Sequence, residues 1–157
     1  IKITSESRES PVDKTAVFPP RKNDKIKGDL MLFHIFNSQA ERRKCGGSAF
    51  IEIQFCRLPK GTSVEKIVDS DVHWHNDSLY ISNENEFYRQ YSSIFDCGIY
   101  NNLSRGTVDI YGINYYSSEL TDKIIDKLNQ EKPTDYEVLI GWLEKSKSYN
   151  GFYILGI

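Results

Sequence analysis

Ser48-Ala49-Phe50-Ile51-Glu52-Ile53-Gln54-Phe55-Cys56-Arg57-Leu58 reads as a β-strand. Ile51, Ile53 and Phe55 fall on one face and Glu52 and Gln54 on the other, the period of two shown by a half-buried strand. Pro59-Lys60-Gly61 closes it. Upstream, Asp29 to Phe36 is apolar and ambiguous. Leu30, Leu32, His34 and Phe36 alternate as in a strand, whereas Leu30, Phe33 and Ala40 would line a helix. We take the strand. Glu41-Arg42-Arg43-Lys44-Cys45-Gly46-Gly47 then becomes a charged turn, and the two strands form a hairpin with a long basic loop. Residues 1–28 are polar and hold Pro11, Pro19 and Pro20. They are expected to form an extended segment wrapping the domain, with Ala16-Val17-Phe18 as an anchor.

Downstream, Val64 to Val68 is expected to be short and extended. Val72–His75 and Leu79–Ile81 look like short strands around the turn Asn76-Asp77. Asn83 with Glu86 resembles a capping box and opens a helix to about Asp96, with Phe87, Tyr91, Ile94 and Phe95 on its inner face and Gly98 as its C-cap. Thr107 to Tyr115 alternates like a strand. A helix follows over about 119–130, and Pro133 ends it. Thr134 with Glu137 resembles a second box, opening a helix over 134–146 that buries Val138, Leu139, Trp142 and Leu143. After the turn Asn150-Gly151, the nearly all-apolar Phe152–Leu155 has the composition of a central strand. Strands grouped early and helices late predict one α+β domain, a mainly antiparallel sheet with about three helices.

Composition sets the limits on function. The chain has 157 residues, 39% hydrophobic and 27% charged, which suits one folded domain and not a disordered chain. No apolar run approaches the roughly 20 residues of a membrane span, so no membrane association is expected. Ile1-Lys2-Ile3-Thr4 does not resemble a signal peptide, and the first residue is not Met, which leaves open a leader already removed. The three cysteines, Cys45, Cys56 and Cys97, are an odd set without short-range pairing, pointing to reduced thiols and a cytoplasmic protein.

Charge is uneven. Residues 1–66 hold 13 Lys/Arg against 8 Asp/Glu (+5), and residues 67–157 hold 7 against 14 (−7). From Asp69 to Asp96 the acids Asp69, Asp71, Asp77, Glu84, Glu86 and Asp96 face Arg89 alone. Trp74, Tyr80, Tyr88 and Tyr91 lie among them. Carboxylates beside aromatics suit a surface that grips a basic protein, and they equally suit a solvated face with rings in the core.

Sites of chemistry are few. In a strand, His73 and His75 would share a face and could bind one metal with Asp71 or Asp77, which would make a small metal-dependent hydrolytic enzyme. Two surface histidines beside a half-buried Trp is the plainer reading, and no metal or cofactor is expected. Cys56, beside the strong strand, reads as core. No Walker loop, dinucleotide-binding glycine fingerprint, serine elbow, HExxH or EF-hand is present. The sequence pI near 5.9 argues against nucleic-acid binding.

The C-terminal half resembles bacterial contact-dependent growth inhibition immunity proteins. The likeness rests on Phe95-Asp96-Cys97-Gly98-Ile99-Tyr100, Val108-Asp109-Ile110-Tyr111-Gly112-Ile113-Asn114-Tyr115-Tyr116 and Gly151-Phe152-Tyr153-Ile154-Leu155-Gly156-Ile157, with Pro133-Thr134-Asp135-Tyr136 and Trp142-Leu143 between. It covers roughly residues 70–157. It implies a cytoplasmic inhibitor without catalytic activity, which binds the C-terminal toxin domain of its system and blocks the toxin's active site. Such toxins are often nucleases, whose surfaces are basic because they bind phosphates. The expected toxin-binding face is Asp69, Asp71, Trp74, Asp77, Tyr80 and Glu84.

Overall fold

The computed structural model describes residues 31–45, 50–70 and 72–157. The expected N-terminal wrap over 1–28 and residue Asp71 lie outside the described residues. The strand read first is β2, Ile51–Phe55. It sits in one antiparallel sheet with β1 (Phe33–His34), β3 (Leu79–Ile81), β4 (Gly98–Tyr100), β5 (Arg105–Gly106), β6 (Ile113–Tyr116) and β7 (Phe152–Leu155). The spatial order is β1-β3-β2-β7-β6-β4-β5. The last strand therefore lies at the centre. Phe152, Tyr153 and Ile154 are buried, as expected of a strand covered on both faces.

Among the described residues there are five α-helices: α1 (Gln39–Lys44), α2 (Val64–Asp69), α3 (Glu84–Tyr91), α4 (Thr121–Glu131) and α5 (Tyr136–Ser146). The three longest, α3 to α5, are the three expected ones, and the α+β class holds. They contribute Phe87, Tyr91, Ile124, Leu128, Leu139, Trp142 and Leu143 to a core shared with Ile51, Ile53 and Phe55 of β2 and Phe152 of β7. Phe55 stacks on Trp142 at a centroid distance of 4.1 Å, and Phe152 meets the same indole edge-on. Each such side chain stabilises the fold by about 1.5–3 kcal/mol on burial. The residues that point the other way, Cys56, Ile99, Tyr115 and Tyr153, form a second cluster with Ile67 and Val68 of α2.

Several expectations are corrected. The hairpin expected from 29–36 and 48–58 is not formed by their described strands, β1 and β2. β3 inserts between them, pairing Phe33 with Ile81 on one side and Ile51 with Ile81 on the other. Residues 41–44 are helical, because Ser38 Oγ accepts from Glu41 N (3.1 Å) and Glu41 Oε1 accepts from Asn37 N (2.9 Å), which completes a capping arrangement at the start of α1. Residues 64–68 are helical despite two valines and an isoleucine. Burial of Ile67 and Val68 against the sheet outweighs the modest helix penalty of β-branched residues. Residues 72–75 form no strand.

Helix α3 stops at Tyr91, and Gly98 begins β4 rather than capping a helix. The Thr134/Glu137 box does not form. Asp135 is the residue before α5, at φ +61°, and its carboxylate instead accepts from Leu32 N at 2.7 Å. Of the expected 107–115 strand only 113–115 pairs in the sheet, within β6, which runs on to Tyr116.

Candidate protein-binding surface

Helix α3 has two sides. Phe87 and Tyr91, four residues apart, face the core. Asn85, Tyr88 and Arg89 take the outer side, and Tyr88 is 43% exposed. Asn83 Oδ1 accepts from Glu86 N at 3.0 Å and fixes the first turn, half of the expected box. The other half is absent because the Glu86 carboxylate turns to Arg89 and Gln90. These bonds hold the Glu86 carboxyl below its ordinary range. Glu84 lies one turn before Tyr88 and, like Asp109, has no ion pair among the described residues.

The wall opposite α3 is the segment 108–111, read from the sequence as a strand. Its alternation is real, since Val108 and Ile110 are buried while Asp109 is exposed and Tyr111 is 70% exposed. The cause is a turn. Asp109 Oδ1 accepts from Tyr111 N (2.9 Å), and Gly112 N donates to Asp109 O (3.2 Å). Asn114, wholly buried in β6, holds the turn from beneath. Its Oδ1 accepts from Asp109 N (2.8 Å), and its Nδ2 donates to Asp109 O (2.9 Å) and Ile154 O (3.0 Å). The chain end clamps the other side, with Gly156 N to Gly112 O at 2.8 Å and Ile157 N to Ile110 O at 3.0 Å. A Cβ on Gly156 would lie 2.4 Å from Ile110 O, so this approach requires glycine. The result is an open groove between α3 and the turn, lined by Asn85, Tyr88, Arg89 and residues 108–111.

The face chosen from the sequence is dispersed. Asp69 is exposed at the end of α2. Asp77 and Glu84 leave opposite ends of β3. Asp77 is ion-paired with Arg57, and its carbonyl accepts from Trp142 Nε1 at 2.8 Å. Trp74 is half-buried, and its Nε1 has no partner among the described residues. Tyr80 is corrected outright. It is 1% exposed, with its hydroxyl donating to Glu52 Oε2 (3.2 Å) and its ring 5.0 Å from that of Phe36. Burial, with Glu52 adding to it, pushes its phenol well up. The exposed aromatic of the acidic stretch is Tyr88. The spacing could have shown this, because a helix that buries Phe87 and Tyr91 turns residue 88 outward.

The paired-histidine arrangement is also changed. His73 and His75 lie in irregular backbone, so no strand aims them to one side, and the His73 carbonyl accepts from Gln54 Nε2 at 2.8 Å. Among the described residues no group of three or more His, Cys, Asp or Glu is placed to hold a metal. Among them also, no helix is long and apolar enough to cross a membrane. Cys56 is buried, its Sγ 3.7 Å from Tyr153 Oη in the second core.

No family model matches the chain, and neither a curated protein nor a solved structure does.

Proposed function

We propose that the chain is a binding protein of the immunity class, which neutralises the toxin domain, a nuclease, of a contact-dependent growth inhibition system. It acts in the cytoplasm by occluding the toxin's active site and performs no chemistry of its own. The observation that carries this reading is the Tyr88–Tyr111 groove. Two tyrosines stand outward beside an arginine on rigid elements, and Tyr and Arg are the residue types that dominate interface energetics. The C-terminal resemblance supports it, since the 108–116 segment that carries that likeness builds one wall of the groove and its support. The net charge of −7 over residues 67–157 suits association with a phosphate-binding, basic partner.

The test is co-expression with the C-terminal domain of a large exported protein, sought in the gene directly upstream. The toxin domain alone should stop growth, and with this chain growth should return and an equimolar complex should co-purify. Growth arrest that persists in the presence of the folded chain overturns the reading. So does turnover of a small substrate by the chain alone.

A further inference from the structure

We propose that the groove between α3 and the 108–111 turn receives an arginine or lysine side chain of the partner protein, held between the Tyr88 and Tyr111 rings and against the Asp109 carboxylate. This rests on the binding-protein reading above and adds the chemistry of what is bound. The argument is one of charge. Arg89, the cation lining the groove, is already paired with Glu86 at 2.5 Å. Asp109 has no cationic partner among the described residues, and neither does Glu84, one helical turn from Tyr88. The local balance is therefore negative, beside two exposed tyrosines. A cation gains from both, since the ring quadrupole and the carboxylate attract the same charge. An acidic side chain would meet Asp109 and Glu84 as like charges. A purely apolar one would strip water from the Asp109 carboxylate without replacing its hydrogen bonds.

Rigidity favours the same occupant. Asp109 is held on both backbone groups by Asn114 and spends one carboxylate oxygen on Tyr111 N. The other oxygen has a fixed position before any ligand arrives. Little ordering entropy is then lost on binding, which matters for a contact as small as one side chain.

The probe is acetyl-Gly-Arg-Gly-amide, titrated into the full-length ¹⁵N-labelled chain beside acetyl-Gly-Glu-Gly-amide. The arginine peptide should shift amides within 84–89 and 108–112, and the glutamate peptide should not. Tyr111→Ala and Asp109→Asn should each weaken binding roughly two- to fivefold, the scale of an exposed cation–π contact or ion pair. Asparagine keeps an oxygen for Tyr111 N, so that variant tests charge without releasing the turn. Shifts elsewhere, no shifts, equal binding of the glutamate peptide, or unchanged affinity in both variants overturns the proposal. Co-expression with the toxin domain separates the two ideas. Full neutralisation by the Tyr111→Ala/Asp109→Asn double variant removes the groove from the interface and leaves the function. Peptide binding without neutralisation by the native chain removes the function and leaves the groove.

Discussion

Residues 69–80 and residues 84–111 contain the same materials, carboxylates close to large aromatic rings, and the fold uses them in opposite ways. In the first region the chain enters β3 and carries Tyr80 inward, while Asp77 is tied to Arg57. In the second, a helix and a turn each put one face into the core and leave Tyr88 and Tyr111 outside, with Asp109 unpaired among the described residues. Local composition therefore did not distinguish a binding face from a piece of core. The direction of each side chain did, and that is set by the element on which it sits.

The comparison predicts a large response to alkali. Burial pushes Tyr115 up to about 12 from an ordinary 10.0 and raises Tyr116, Tyr80, Tyr91 and Tyr153 as well. The folded state thus keeps phenolic protons that the unfolded chain has already released. Their contribution is complete below about pH 10 and declines as pH rises through the folded values, so alkali unfolds the protein. Tyrosinate absorbance followed together with near-ultraviolet circular dichroism should show these buried phenols ionising in step with loss of tertiary signal. Ionisation of all ten tyrosines with the tertiary signal intact would break the distinction between inward and outward rings.

A smaller effect is expected at one residue of the first region. Tyr80→Ala removes a ring packed against Phe36 and Phe50 and leaves Glu52 without its hydroxyl donor. Unfolding free energy in urea should fall by about 4 kcal/mol, the scale of a large aromatic deleted from a core. A loss below about 1 kcal/mol, the scale of surface changes, would return Tyr80 to the surface set.

How much was legible in the sequence follows from which interactions are local. Strand β2, the long helices and the central β7 were readable because hydrophobic periodicity and apolar run length report burial directly. The β1–β3 pairing was not, because Phe33 meets Ile81 only through a crossover that no local pattern encodes. The 107–112 segment misled for a physical reason. A turn with Val108 and Ile110 in the core and Asp109 and Tyr111 outside has the same period of two as a strand. Gly112 and the Asp109 side chain were the available signs of a turn. Of the candidate site, Glu84 lies beside the groove. Tyr88 was within reach of helix spacing, and Tyr111 was not, since its exposure depends on a side chain in the next strand, Asn114.

That dependence supplies the last and smallest contrast. Asn114 is fully buried, and its amide serves both backbone groups of Asp109 and the Ile154 carbonyl. Asn114→Ala removes the partner of Asp109 N and the side-chain donor to Ile154 O, while Asp109 O keeps Gly112 N, and should lower stability by about 2 kcal/mol, since an unpaired buried polar group costs about 1–3 kcal/mol. Tyr111→Ala removes a ring that is 70% exposed and should change stability by no more than about 0.5 kcal/mol. The two residues nevertheless belong to one device, the first holding the turn that the second tops. Both variants should therefore weaken partner binding, one with loss of stability and one without it. Amide exchange makes the link measurable, because Asn114→Ala should release protection at Gly112 and Ile157, whose amide protons bond within this clamp, while Tyr111→Ala should leave both protected. Protection unchanged in Asn114→Ala would mean that the chain-end clamp alone holds the turn, and the rigidity argued for the groove would then rest on Gly156 rather than on Asn114.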